Sequence, residues 1–177
     1  MVDLDGTLIR TDLLIEAIFR HASRGILQTI RILKHILVGK LSLKSYLVDN
    51  EPLSVETLPY NDSVLELIKA EQATGAKIIL ASASHEDWVK KVFLHLRVFD
   101  YYLGTDEKHN LAGNIKARVL NQRYGARGYR YVGNSITDLA VWEDSSMAYV
   151  VTKSRRVIRE AERVSRQMEL ISSEKPS

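Results

Sequence analysis

Apolar residues between positions 11 and 50 recur every three or four residues, which is the spacing of one face of a helix. Gly25 and Gly39 interrupt this run, so the pattern predicts two helices followed by a shorter third helix over residues 42–48. Pro52 and Pro59 then frame a return linker. The apolar positions of the first two helices are Leu13, Leu14, Ala17, Ile18, Ile26, Leu27, Ile30, Leu33 and Leu37.

Basic side chains are scattered among these apolar positions, and the combination has two interpretations. In the first, which we favour, the helices pack on one another through their apolar residues. In the second, a face of the helices lies against anionic lipid. The two arrangements can coexist. The basic side chains are Arg20, Arg24, Arg31, Lys34, Lys40 and Lys44.

From residue 61 onward helical patterns alternate with short apolar runs, which is typical of an α/β protein with a parallel sheet. Asn61, Asp62 and Ser63 can cap the first of these helices. That helix runs through Glu71 and is ended by Gly75. Strands are expected over residues 77–81, 101–103, 129–132 and, as the last strand, 147–151. Further helices are expected over residues 86–96, from 113 to about 125 and, with a basic character, from 152 to about 170.

Composition narrows the class of protein. The 177 residues are 45% hydrophobic and 27% charged, which suits one globular α/β domain with a modest insertion. The absence of cysteine excludes disulfides and thiolate metal sites. Arg31 and Lys34 interrupt the most apolar stretch, so we expect no segment that spans a bilayer. With no signal-peptide pattern, we expect a cytoplasmic protein. The net charge of +3 permits an anionic partner, but the dispersed basic residues give no reason to expect nucleic-acid binding.

Candidate chemistry begins at the amino terminus, where two carboxylates lie two positions apart. On an extended strand Asp3 and Asp5 point to the same side, so their charges repel unless a cation lies between them or they share a proton. Both situations are typical of functional sites. Gly6 allows a sharp turn, and Thr7 adds a hydroxyl and an N–H group.

The segment Asp3-Leu4-Asp5-Gly6-Thr7 resembles motif I, DxDGT, of the haloacid-dehalogenase-like (HAD) phosphohydrolases. The resemblance implies a Rossmann-like, doubly wound parallel sheet with a small helical type I cap. The HAD core would comprise residues 1–10 and 60–151, the cap residues 11–59, and a basic C-terminal helix and linker residues 152–177. Only Met1 and Val2 precede the motif, whereas a central strand has about five or six residues. We therefore expect the native chain to start further upstream.

Three further motifs follow in the HAD order. Ser82, after an apolar strand, matches motif II, and Lys116, at the start of a helix, matches motif III. The segment GNSITD, residues 133–138, resembles motif IV, GDxxxD, with Asn134 in place of the first acid. An amide oxygen can ligate Mg²⁺ but brings no negative charge. The resemblance therefore implies either that the metal is bound more weakly or that Asp138 contributes a larger share of the metal binding.

The residues after motif II are interpreted from local pattern. We expect Ser84 to be the N-cap of the next helix, with Asp87 at the capping-box position. His85 either lines the pocket or is a solvated residue of the first helical turn. No metal-ligand spacing joins His85 to His95 or His109.

The resemblance implies hydrolysis of a phosphate monoester with Mg²⁺ as cofactor. Asp3 would be the nucleophile that forms an aspartyl-phosphate, and Asp5 would act first as general acid and then as general base. The implied metal ligands are Asp3, the Asp5 backbone carbonyl, and Asn134 or Asp138. The residues implied to hold the transferring oxygens are Thr7, Ser82 and Lys116.

A closer resemblance rests on the segments DLDGTLIRTD, LASAS, GNIK and VGNSITDL. These resemble the HAD-like domain found upstream of UbiA-type polyprenyltransferases. The implied substrate is a phosphorylated small molecule or a prenyl-linked phospho-sugar. The implied partners are a UbiA-type prenyltransferase and an anionic membrane surface, which would make the protein peripheral at the inner face of the membrane. The alternative is a catalytically weak HAD module that docks on or regulates such a prenyltransferase.

Overall fold

A computed structural model describes residues 1–106 and 110–172. His109 and the end of the predicted linker, residues 173–177, lie outside this range. The helices are α1 (Leu13–Ala22), α2 (Ile26–Val38), α3 (Lys40–Asn50), α4 (Asp62–Ala73), α5 (Glu86–Leu96), α6 (Gly113–Tyr124), α7 (Leu139–Asp144) and α8 (Arg155–Val164). The strands are β1 (Ile79–His85), β2 (Tyr101–Thr105), β3 (Arg130–Gly133), β4 (Met147–Val150) and β5 (Met168–Leu170).

All described strand pairings between these elements are parallel, as the alternation of helices and apolar runs predicted. Strands β1 and β2 form one group and strands β3, β4 and β5 form another. The amino terminus joins the two groups, because Val2 bridges Leu80 on one side and Val132 on the other. The Asp3 N–H donates to the Val132 carbonyl at 3.0 Å. The first three residues therefore serve as the central strand, and Asp3 lies where that strand ends.

Helices cover both faces of the sheet, which confirms the doubly wound arrangement. On one face, Leu80 and Val132 pack with apolar residues of α4 and α5, such as Ile68 and Val92. On the other face, alternate strand residues pack with α6, α7 and α8 around Trp142. Because successive strand residues point to opposite faces and both faces are covered, most residues of β1, β3 and β4 are buried.

Three helices, α1 to α3, are inserted between the central strand and α4, in agreement with the predicted helical cap. In α1 the predicted packing is confirmed, because Leu13 and Ala17 are buried in one cluster with Ile32 of α2 and Leu47 of α3. The same cluster contains Leu4 and Leu8 of the amino-terminal segment. The cap and the core thus share a continuous apolar cluster. The domain boundaries at residues 10, 59 and 151 remain a prediction.

The helix α2 packs on α1 and α3, as the favoured interpretation expects, but not through the residues expected. The five apolar residues expected to pack between helices are all exposed, and Ile32 is the buried one. The helix turns Ile32 toward its neighbours, so the residues on the opposite side are left uncovered. The five exposed residues are Ile26, Leu27, Ile30, Leu33 and Leu37.

Several boundaries differ from prediction. The third helix begins at Lys40 rather than 42 and reaches Asn50, because Gly39 alone separates it from α2. Strand β1 begins and ends later than predicted, at Ile79 and His85. The predicted C-terminal helix ends at Val164, and β5 then pairs with β4, so 147–151 is not the last strand. No helix in the described residues is long and apolar enough to cross a membrane.

Candidate active site

The carboxyl end of the sheet opens into a cavity of about 310 Å³ between the core and the cap. The core contributes Asp3 and Asp5 from the amino-terminal segment, Lys116 from α6 and Asn134 from the loop after β3. The cap contributes cationic side chains from α3. Residues from distant parts of the sequence therefore meet because the carboxyl ends of parallel strands share one edge of the sheet.

Asp3 is buried at the base of this cavity and is paired with a lysine. Its Oδ1 accepts a hydrogen bond from Lys116 Nζ at 2.8 Å, and no hydrogen bond from the described residues reaches its Oδ2. Burial raises the pKa of Asp3 to about 7; Lys116 opposes this rise and the charge of Asp138 adds to it. One carboxylate oxygen is thus held and the other is available for chemistry.

Lys116 is buried among acidic and phenolic groups. Its Nζ also donates to Tyr131 Oη at 2.8 Å and lies 3.9 Å from Asp138 Oδ1. Burial alone would lower the pKa of the ammonium, but the carboxylates of Asp3 and Asp138 outweigh it and raise the pKa of Lys116. The lysine is therefore a fixed positive charge beside Asp3.

Asp5 is held by three donors. Its Oδ1 accepts from the Leu13 N–H at 2.9 Å, the first residue of α1, so the carboxylate also anchors the cap. Its Oδ2 accepts from Ser84 Oγ at 2.6 Å and from Ser82 Oγ at 3.2 Å. Burial raises the pKa of Asp5, although these hydrogen bonds oppose the rise. A carboxyl group of raised pKa suits a general acid.

The prediction for Ser84 was wrong. His85 occupies the N-cap of α5, with its Nδ1 accepting from the Asp87 N–H at 3.3 Å, and Ser84 still belongs to β1. Ser84 and Ser82 are two positions apart on that strand, so both hydroxyls point to Asp5. His85 is thus a helix-start residue and is not among the residues that line the cavity.

Two residues predicted to bind phosphate lie behind the cavity wall. Ser82 is fully buried, donates to Asp5 and accepts from the Ser84 N–H at 2.9 Å. Thr7 is also fully buried, and its Oγ1 has no hydrogen-bond partner in residues 1–106 and 110–172. In this conformation neither side chain lines the cavity.

The motif IV loop is built around Asp138. Its Oδ2 accepts from the backbone N–H groups of Asn134 and Ser135, each at 3.1 Å, and its Oδ1 accepts from Tyr131 Oη at 3.1 Å. Both carboxylate oxygens are therefore occupied by protein donors. Asp138 holds the loop and faces Lys116, and it does not line the cavity.

Asn134 packs directly on the backbone of motif I. Gly6 has a φ of +72°, and a Cβ on it would meet the side-chain amide of Asn134. The backbone conformation favours glycine at this position. No hydrogen bond of the described residues uses the Asn134 side chain, so its amide oxygen is available as a ligand.

The oxygen donors that could hold a cation are Asp3 Oδ2, the Asp5 carbonyl and Asn134 Oδ1. These hard oxygen atoms suit Mg²⁺, which usually binds proteins through one or two carboxylates and keeps water or substrate oxygens. Within the described part of the chain, no group of three or more His, Cys, Asp or Glu side chains is arranged to hold a metal. These three oxygen atoms fit Mg²⁺, but only the one from Asp3 carries a negative charge.

Sequence reasoning missed the role of Lys44. Its ammonium is buried at the cavity, where it donates to the Ala83 carbonyl and to Asn110 Oδ1 at 2.9 Å. Burial and the neighbouring Lys40 lower the pKa of Lys44 to about 8. The spacing of four between Lys40 and Lys44 places them on one helix face, which was the available signal. The spacing does not show that this face of the helix lines the cavity.

Comparison with solved structures identifies the fold. A phosphoserine phosphatase carrying an analogue of the phospho-aspartyl intermediate superposes with a TM-score of 0.62, covering 94% of this chain and 90% of its own, at 16% identity. The chain has the HAD phosphatase fold. A probable phosphoserine phosphatase from Vibrio cholerae superposes with a TM-score of 0.64 at 17% identity, covering 95% of this chain and 59% of that one.

A third structure with this fold belongs to a protein that is named for a different reaction of phosphate esters. A putative β-phosphoglucomutase from Thermotoga maritima superposes with a TM-score of 0.60 at 16% identity, covering 96% of this chain and 92% of its own. The fold is therefore shared by proteins named for different phosphate chemistry, so the activity must be argued from the site.

One curated relative matches at the level of sequence. The uncharacterized protein y4nM of Sinorhizobium fredii is 31% identical over 162 residues, which is 90% of this chain. The chain spans 31% of the length of that relative. No family model matches the chain.

Proposed function

We propose that the protein hydrolyses a phosphate monoester through an aspartyl-phosphate intermediate. The observation that carries this proposal is the buried Asp3–Lys116 pair, 2.8 Å apart, at the base of a cavity that Asp5 also lines. The pair holds Oδ1 of Asp3, and no hydrogen bond from the described residues holds Oδ2. The HAD phosphatase fold, seen with a phospho-aspartyl analogue in one neighbour, supports the same chemistry.

The first step joins the free oxygen of Asp3 to phosphorus as the bond from phosphorus to the leaving oxygen breaks. Asp5 gives its proton to that oxygen, so an alcohol leaves. In the second step Asp5, now ionised, takes a proton from water, whose oxygen displaces Asp3 and releases inorganic phosphate. Lys116 offsets the negative charge on the phosphoryl oxygens throughout.

Asp3, the Asp5 carbonyl and Asn134 would hold Mg²⁺, with Asp138 supporting the loop that carries Asn134. The bound ion would offset the negative charge that otherwise keeps two anions apart. The chain's own residues orient the nucleophile and deliver the proton.

The substrate we propose is a phosphorylated small molecule or a prenyl-linked phospho-sugar. The closer sequence resemblance, to domains upstream of UbiA-type polyprenyltransferases, favours the lipid-linked form. Rates of phosphate release from a panel of soluble and prenyl-linked monoesters with Mg²⁺ test both. Release from no monoester in the panel would overturn the proposal.

A second candidate is a catalytically weak HAD module that docks on or regulates a UbiA-type prenyltransferase. The observation that favours it is Asn134 in place of the first motif IV acid, together with the sparse charge of the donor set. Detectable binding to such a prenyltransferase, with no hydrolysis of any monoester, would support this candidate over the enzyme.

Replacing Asn134 by aspartate tests whether Asn134 is a metal ligand. The added carboxylate is expected to lower the Mg²⁺ concentration for half-maximal effect about ten-fold, because a second negative charge attracts the cation. The measurement is the rise of the melting temperature with added Mg²⁺, which needs no turnover. Asn50→Asp, the same change at an exposed position of α3, is the control. An unchanged Mg²⁺ requirement would exclude Asn134 as a ligand.

Lys44 is expected to bind the substrate from the cap side. Two of its three N–H donors have partners in Ala83 and Asn110, which leaves one for a phosphoryl oxygen. Replacing Lys44 by methionine should raise the KM for a phosphate ester about ten-fold with a smaller change in kcat, as for a lost charged hydrogen bond. Lys90→Met, an exposed lysine of α5, is the control.

The pH dependence gives this prediction a second readout. Because the pKa of Lys44 is lowered to about 8, its ammonium is charged below that pH and loses its charge above it. The KM of the wild-type protein should therefore rise as the pH increases through about 8, and that rise should be absent in Lys44→Met. An identical KM profile in both proteins would assign Lys44 to holding the cap closed rather than to substrate binding.

A further inference from the structure

The outer face of α2 carries a row of large apolar side chains that nothing in the described chain covers. Ile26, Ile30, Leu33 and Leu37 follow the spacing i, i+4, i+7 and i+11, so they form one stripe along the helix. They are 75%, 55%, 54% and 88% exposed, respectively. We call these four residues the outer stripe. Contiguous exposed apolar surface of this kind marks an interaction site.

The charge around the outer stripe selects the kind of partner. Residues 17–48 contain six lysine or arginine side chains and no aspartate or glutamate. On α2 itself, Lys34 and Arg31 are exposed and lie on one flank of the stripe, since each residue advances the helix by about 100°. Arg24 pairs with Glu51, outside this stretch, and Lys44 is buried at the cavity. The positive charge beside the outer stripe is therefore that of Arg31 and Lys34.

We propose that the outer stripe docks the protein on the surface of an anionic lipid bilayer. Apolar side chains on one face of an interfacial helix enter the boundary of the hydrocarbon, while flanking lysine and arginine heads reach the lipid phosphates. A second copy of the chain fits less well, because a symmetric contact through the stripe would bring basic residues against basic residues.

Docking through α2 has a consequence for the cavity. Gly39 alone separates α2 from α3, and Lys40 and Lys44 of α3 line the cavity. The membrane would therefore lie close to the side of the cavity that is lined by Lys40 and Lys44 of the cap. The proposal does not rest on catalysis, because vesicle binding is measured without substrate.

Sedimentation with vesicles of phosphatidylcholine, with and without phosphatidylglycerol, tests the proposal. The wild-type protein is expected to sediment with the anionic vesicles and to be released by high salt. Replacing Leu33 and Leu37 by asparagine should weaken binding roughly a hundred-fold, because two apolar side chains are lost from the boundary. Replacing Arg31 and Lys34 by glutamine should weaken it about five-fold for each basic residue.

Matched controls come from exposed residues elsewhere on the chain. Leu94 and Leu170 are 57% and 50% exposed, and their replacement by asparagine should leave vesicle binding unchanged. The exposed pair Lys90 and Lys91, replaced by glutamine, is the control for charge. Equal loss in the controls and in the outer-stripe variants would overturn the proposal.

Two further outcomes would also overturn it. The first is no sedimentation of the wild-type protein with anionic vesicles at low salt. The second is a wild-type dimer in light scattering that Leu33→Asn with Leu37→Asn converts to a monomer, without any vesicle binding. That second result would assign the outer stripe to contact with another copy of the chain.

Discussion

Replacing Asp3 by asparagine is expected to lower phosphate release from an aryl phosphate by roughly four orders of magnitude or more, as for the loss of a catalytic nucleophile. Asparagine has the size of aspartate, and its amide oxygen can still accept the hydrogen bond from Lys116. The variant therefore keeps the packing of the site and loses the nucleophilic oxygen. Initial rates with Mg²⁺ present measure the loss.

The control for this experiment is Asp87→Asn. The Asp87 side chain is 61% exposed on α5 and does not line the cavity, so this variant should turn over at the wild-type rate. Mass spectrometry of quenched wild-type enzyme should detect one added phosphoryl group, which Asp3→Asn should lack. Near wild-type turnover by Asp3→Asn would contradict the aspartyl-phosphate mechanism.

The meeting of the motif residues could be predicted from sequence because it depends on topology. Asp3 and Asn134 follow parallel strands, Ser82 lies on one, and Lys116 lies in the first turn of a helix that returns to the sheet. Once the alternation of elements is recognised, the carboxyl ends of the strands must share an edge. The placement of Asp3 and Lys116 within 2.8 Å follows the same logic.

The position of Ser84 could not be predicted, because two local patterns compete. A serine three residues before Asp87 resembles a capping box, but His85 supplies a cap of its own. The strand is favoured over the cap at Ser84 because the buried carboxylate of Asp5 gains hydrogen bonds from both serines when β1 continues through them. That gain depends on a contact 79 residues away in sequence, which local pattern does not contain.

The cap shows a second limit of periodicity. Helical spacing correctly predicts that α1 and α2 are amphipathic, but it does not say which apolar face is covered. In α1 the covered face contains Leu13 and Ala17, whereas in α2 a single residue, Ile32, is buried. The C-terminal segment shows a similar limit, since β5 forms because β4 offers an open edge.

Replacing Lys116 by methionine is expected to lower the free energy of unfolding by about 3–5 kcal/mol, the cost of breaking a buried ion pair from one side. Asp3 would lose its cation, and Asp138 would lose the ammonium at 3.9 Å. Turnover should fall as well, because the phosphoryl charge is no longer offset. Urea unfolding measures the stability, and Lys69→Met, an exposed lysine of α4, is the control.

The pH dependence and a double variant identify the cause of this loss. In the wild-type protein Asp3 ionises with a pKa of about 7, whereas without Lys116 it keeps its proton to higher pH. The folded variant then binds more protons than the folded wild type, so the stability gap should widen as the pH rises through about 7. In Lys116→Met with Asp3→Asn the uncompensated charge is absent, so the double variant should regain part of the lost stability. Strictly additive losses with a pH-independent gap would show that Lys116 stabilises the fold through packing alone, and the electrostatic account of the site would then be wrong.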